Sequence, residues 1–121
     1  MKWFIRILVL LLLSPLVFAL GEKTFNWEPP TEREDATPLD NADIQEYRIY
    51  CDGDLTTPIH VQPNEPLNTD TWQAPAETFA LGTHDCVATA VDTGGKESLV
   101  SNTVNFTVSL ARPKAPIFAV Q

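Results

Sequence analysis

Leu81-Gly-Thr-His-Asp-Cys-Val-Ala-Thr-Ala-Val-Asp-Thr-Gly-Gly-Lys-Glu-Ser98 is the stretch that decides the fold of this chain. From His84 to Val91 the side chains alternate: Cys86, Ala88 and Ala90 share one face, and Val87, Thr89 and Val91 the other. That two-residue period is the signature of a β-strand. Asp92-Thr-Gly-Gly-Lys96 then supplies turn residues, with Gly94-Gly95 at the loop tip. Upstream, Ile44 to Cys51 alternates in the same way, with Tyr47, Ile49 and Cys51 on the inward face and Arg48 and Tyr50 on the outward one. Downstream, Asn102 to Ser109 sets Val104, Phe106 and Val108 toward the core.

The rest of the chain repeats the pattern. Thr24-Phe-Asn-Trp-Glu28 places Phe25 and Trp27 together, and Pro29-Pro30 ends the strand because proline cannot donate to a ladder. Ile59-His-Val61, bounded by Pro58 and Pro63, suits an edge strand. Asp70-Thr-Trp-Gln73 forms another, with Trp72 inward, and Asp52-Gly-Asp54 reads as a turn in which glycine supplies positive φ. No helical periodicity of useful length appears after residue 20. Short strands at regular spacing, punctuated by Pro, Gly, Asn and Asp, indicate an all-β sandwich rather than βαβ units.

The amino terminus points to a compartment. Lys2 and Arg6 flank Trp3-Phe-Ile5, Ile7 to Leu13 is wholly apolar, and Val17-Phe-Ala19 offers small side chains at a cleavage position. This is the pattern of a secretory signal peptide, cleaved after Ala19 or, alternatively, after Gly21. A membrane anchor fits less well, since the 14 residues from Ile7 to Leu20 contain Pro15 and a span needs ~20 residues. The expected organisation is therefore a signal peptide over 1–19, one domain over 20–110 and a proline-containing tail over 111–121. Removing residues 1–19 leaves 102 residues with 6 basic and 16 acidic side chains, a net charge of −10. Such a surface repels nucleic acid and anionic lipid. The acids of Glu32, Glu34, Asp35, Asp40, Asp43 and Glu46 read as a solvated loop, since their spacing matches no calcium-loop pattern.

Over roughly residues 22–110 the chain resembles a fibronectin type III domain, an immunoglobulin-like β-sandwich of six to seven strands. Trp27-Glu-Pro-Pro30 is similar to the family's exit from strand B, and Tyr47-Arg-Ile-Tyr50 to its strand C. Gly82-Thr83, Ala90-Val-Asp92, Gly95, Glu97-Ser98 and Ser101-Asn102 resemble the F strand, F–G loop and G strand. The resemblance implies strands B, C, C′, E, F and G. Two positions depart from it. His84 stands where the family places a corner tyrosine whose hydroxyl ties back to upstream backbone. Strand A is missing or very short, which leaves an edge of strand B open.

The resemblance makes strands C and F neighbours, so Cys51 and Cys86 would meet, and a secreted chain with two cysteines is expected to pair them. The competing reading is a zinc site from Cys51, His60, His84 and Cys86, whose spacings match no compact zinc signature. No catalytic residue, cofactor or metal is expected. His60 and His84 have no nucleophile motif near them, Asp52 and Asp54 sit in a turn rather than a cleft, and there is no phosphate loop.

The expectation is a non-enzymatic module, secreted or periplasmic, with no membrane span once the signal is cleaved. It would serve in adhesion or as a structural accessory through contacts with another protein. Binding of carbohydrate through exposed aromatics, Tyr50 above all, is the alternative. Two surfaces are candidates. One is the outward face carrying Arg48, Tyr50, Val87, Thr89 and Val91, where Asn105-Phe-Thr107 also forms a glycosylation acceptor pattern. The other is the tail, which reads either as a frayed terminus or as a strand, Ile117, Phe118, Ala119 and Val120, donated to the open strand B edge of a neighbouring copy or a partner.

Overall fold

A computed structural model of the chain describes residues 22–65 and 70–121. The proposed signal peptide lies outside the described residues. The described residues form six strands: β1 (Lys23–Asn26), β2 (Ile44–Cys51), β3 (His60–Pro63), β4 (Thr71–Ala74), β5 (Gly82–Asp92) and β6 (Val104–Val108). Their only helical companion among the described residues is a short 3-10 turn, Asn41–Asp43, ahead of β2. The strands form two sheets, β1–β4 and β3–β2–β5–β6, and every pairing is antiparallel. The two sheets pack face to face as a β-sandwich, so the all-β expectation stands.

Alternation decides which side chains meet between the sheets. Ile49, Cys51, Ala74, Phe79, Cys86 and Val108 form the buried cluster, with Phe25, Trp27, Trp72, Ala88 and Phe106 packed against it. The aliphatic content is small, and aromatic rings fill the space left by the alanines. Phe25 stacks on Trp72 at 5.6 Å and meets Phe106 edge-on at 5.6 Å, while Phe79 meets Phe106 at 4.9 Å. These separations lie in the favourable range for offset and T-shaped ring pairs. Trp27 and Trp72 are both half-buried core members, as their strand parity predicts.

The cysteine pair occupies the middle of this core. Cys51 and Cys86 are direct cross-strand partners on β2 and β5 and form a disulfide over a sequence separation of 35. Closing a loop of that length restricts the unfolded chain by ~3–4 kcal/mol. The bond excludes both sulfurs from metal ligation, and bonds of this kind persist chiefly in oxidising surroundings. No cluster of metal-ligating side chains occurs among the described residues. No described helix is long and apolar enough to cross a membrane.

Two strand assignments shift. β3 covers His60–Pro63 rather than Ile59–Val61, and its inward residue is His60, opposite Ile49 in the register. Ile59 and Val61 are 40% and 42% exposed, whereas the His60 ring stacks on Trp72 at 4.2 Å with a 4° interplanar angle. An imidazole is flat enough to lie on indole across the sheets, and the strand keeps the edge position expected of it. β1 stops at Asn26, before the prolines, and the Trp27 amide donates to the Asp70 carbonyl at 3.2 Å.

Candidate interaction sites

The outward face of β2 and β5 is built by the loop that follows β5. Asp92 anchors that loop: its Oδ1 accepts from the amides of Gly94 (2.9 Å) and Lys96 (2.8 Å). Gly95 adopts φ 85°, a conformation open to glycine at little cost, and turns the chain back across the sheet. The Ser98 amide then donates to the Ala90 carbonyl at 2.8 Å, and the Ser101 amide to Ala88 at 2.8 Å. This path lays Glu97 over the sheet. Tyr50 Oη and Thr89 Oγ1 each donate to Glu97 Oε2 at 2.6 Å, and Arg48 reaches Glu97 Oε1 at 3.3 Å and Glu46 Oε2 at 2.7 Å. The hydrogen bonds from Thr89 and Tyr50 hold the Glu97 carboxyl below the usual carboxylate range. Burial, followed by the bond to Glu97, pushes the Tyr50 phenol up.

This arrangement covers most of the expected binding face. Tyr50, Thr89 and Val91 are only 4%, 5% and 3% exposed, so they are structural groups under a loop. Val87 is half-buried, and Arg48 keeps a third of its side chain exposed inside the ion-pair network. Tyr50 therefore offers no platform for a sugar ring. Strand parity placed these residues together on the outward face, but it carried no information about the loop that covers them. The Glu97 carboxylate was the missed residue. Its place in the loop after β5 gave no sign of its reach.

Beside this network a pocket of about 340 Å³ lies between the loop that follows β5 and the segment 30–39. Arg33 crosses it to Asp92 Oδ2 at 2.9 Å. The Lys96 amide and the Arg33 bond hold Asp92 below the usual carboxylate range. The acidic run along this segment is exposed, as expected of a solvated loop, and Asp35 turns inward only to accept from the hydroxyl and amide of Thr37.

His84 takes over the corner at the start of β5. Its Nε2 lies 2.7 Å from the Ala80 carbonyl and its Nδ1 lies 2.8 Å from Asp52 Oδ2. A carbonyl and an ionised carboxylate both only accept, so both ring nitrogens must donate and the imidazolium is the species that fits. The Ala80 bond, and then Asp52, raise the His84 pKa above its ordinary value; His84 in turn lowers that of Asp52. Asp52 also accepts from the Asp85 amide at 3.2 Å and sits at φ 57° in the turn after β2. The tie-back ascribed by resemblance to a tyrosine is thus made by a shorter, charged ring. Asp54 is occupied as well, accepting from the hydroxyl and amide of Thr56 and from the amide of Thr57. Asn105, in the glycosylation acceptor pattern, donates its amide to Asp85 Oδ1 at 2.6 Å.

The opposite edge of the sandwich is open. Beyond β4, nothing among the described residues pairs with β1, and β6 likewise ends its sheet. Between them runs a cleft of about 520 Å³ lined by Phe25, Trp27, Ile49, Cys86, Ala88 and Val104 together with polar residues. Val104 is 41% exposed despite its inward parity. The tail residues 109–121 form no strand and are exposed throughout; Ile117, Phe118 and Val120 reach 101%, 94% and 95%. Comparison with known proteins finds no match: no family model, curated protein or solved structure resembles the chain closely enough to place it.

Proposed function

We propose that this chain is an extracytoplasmic, fibronectin type III-like binding module without catalytic activity, acting in a surface or envelope assembly through contact with another protein. The strand order carries this reading. β1–β4 facing β3–β2–β5–β6 is the order that the resemblance implies for strands B–E and C′–C–F–G. The disulfide fits an oxidising space, and the leader-like amino terminus supports export to it. Asp52, Asp54, Asp92 and Glu97 are all engaged in hydrogen bonds within the sandwich, which favours a scaffold that presents surfaces over a site that performs chemistry. The carbohydrate alternative loses the aromatic on which it chiefly rested, because Tyr50 is buried.

The test is export followed by capture. The chain expressed with its leader should be recovered outside the cytoplasm, beginning at Leu20 or Glu22, with no free thiol. Immobilised in that oxidised form, it should retain a specific protein from the envelope or extracellular fraction, and reduction before capture should release it. A chain that stays cytoplasmic with both thiols free would overturn the reading. Retention of polysaccharide in place of protein would replace it with the carbohydrate alternative.

A further inference from the structure

We infer that the cleft between β1 and β6 receives an extended apolar strand, Ile117-Phe-Ala-Val120, from the tail of a second copy of this chain. The inference rests on the reading of residues 1–19 as a cleaved leader, which leaves only Leu20 to Glu22 ahead of β1. Three residues are too short to form the covering strand themselves.

The cleft has the features of a vacant strand position. The outer edge of β1 presents unpaired backbone N–H and C=O groups, which sheets ordinarily cover. Behind it lie core side chains, including Phe25, Trp27 and Ile49. Trp27 also carries a buried indole N–H with no partner among the described residues, an exception in a folded core. The tail has the complementary features. Four residues, Ile117 to Val120, match the four of β1, and alternation puts Phe118 and Val120 on one face. In the isolated chain these apolar groups are almost wholly in water. Main-chain pairing supplies affinity in such strand addition, and alternate side chains seated in the cleft supply specificity.

Charge and direction select the occupant. Residues 20–110 carry 16 acidic against 4 basic side chains, whereas residues 111–121 carry Arg112 and Lys114 and no acid. The tail is thus the one basic segment next to an acidic domain, and the opposite charges promote encounter. Direction argues against the chain's own tail. Phe25 lies against Phe106 while Trp27 lies against Tyr47, two residues before Ile49, so β1 runs antiparallel to β2 and to β6. A tail turning back from β6 would therefore meet β1 in parallel, whereas a tail from another copy is free to enter antiparallel, the more stable pairing.

The experiment uses the processed, oxidised full-length chain and its Phe118→Asp variant. Phe118 is 94% exposed in the single chain, so the substitution leaves the sandwich intact. Light scattering should give a mass of two or more copies for the parent, with association weakened roughly tenfold to a hundredfold in the variant. The variant, its cleft unfilled, should bind a synthetic peptide of residues 111–121 with a blue shift of tryptophan emission, since Trp27 lines the cleft. The same peptide carrying Phe118→Asp should not. Equal association of parent and variant would overturn the inference. So would a monomeric parent whose variant binds the peptide, an outcome that places the tail in its own cleft. A monomeric parent with no peptide binding that still captures an envelope protein would also overturn it, and would leave the binding-module reading standing.

Discussion

The two long sides of this sandwich meet water in opposite ways. Over β2 and β5 the loop between β5 and β6 folds back and lowers a carboxylate onto Tyr50, Thr89 and Arg48. Between β1 and β6 no described segment folds back, and Val104 and the aromatic edge of the core remain partly open. The covered side had the residue types of a binding surface, and the open side those of an ordinary core. The lesson is that a strand's outward residues become a surface only if the neighbouring loop leaves them one. What stands between these two sides is the disulfide. Replacing Cys51 and Cys86 together by alanine should lower stability by ~3–4 kcal/mol, the largest effect expected here, measured by urea unfolding. A loss below about 1 kcal/mol would mean that the core is held by ring packing alone.

The covered side can be broken next. In Glu97→Ala the Tyr50 and Thr89 hydroxyls lose their acceptor while staying under the loop. An unsatisfied buried hydroxyl costs about 1–3 kcal/mol, so a loss of about 2 kcal/mol is expected, and Glu97→Gln should lose less because an amide oxygen still accepts. Glu97 also gives a pH dependence. Its folded pKa is depressed, so its contribution is complete above the ordinary carboxylate value and fades as pH falls through the lowered one. Acid unfolding curves of parent and Glu97→Gln should therefore converge at low pH. Curves that stay parallel would show that the carboxylate bonds contribute nothing.

How much of this was legible follows the same division. Strand positions came from alternation, since burial between sheets demands a two-residue period, and Cys86, Ile49 and Val108 fell inward as read. The disulfide came from resemblance and compartment together. The Glu97 network did not, because it depends on a loop path fixed by Asp92 side-chain bonds and a glycine at positive φ. Nothing in the spacing of Tyr50, Thr89 and Glu97 along the chain brings them together. β3 lies at the sheet edge as its flanking prolines suggested, but its sequence did not say which side chains face the core, and there the stack of His60 on Trp72 decides.

A pair of valines sharpens the contrast at smaller scale. Val91 is 3% exposed on the covered side and Val104 is 41% exposed at the cleft. Truncation to alanine removes the same atoms from both. Val91→Ala should lose roughly 1.5–2 kcal/mol and Val104→Ala roughly half of that or less, in proportion to the area each withdraws from water. Thermal unfolding of the two variants at low concentration, where the chains are separate, makes the comparison direct. Equal losses would mean that the cleft is closed in solution.

The smallest effect belongs to the His84 corner, and its sign is the informative part. The folded pKa of His84 is raised above its unfolded value by the Ala80 carbonyl and Asp52. Its contribution is then complete below the ordinary histidine pKa, near 6.5, and is lost as pH rises through the raised one. Asp52 has the opposite shift, so its share is present above the ordinary aspartate value and lost as pH falls through its lowered pKa. The clamp is strongest between those limits, on the mildly acidic side of neutrality. His84→Gln keeps one donor for either Ala80 or Asp52 but carries no charge and does not titrate. Parent and variant should therefore differ most in mildly acid solution and approach each other in alkali, as followed by the thermal midpoint. A gap that widens with rising pH would require a neutral imidazole at the corner. Since the Ala80 carbonyl and the Asp52 carboxylate can only accept, a neutral ring would satisfy just one of them.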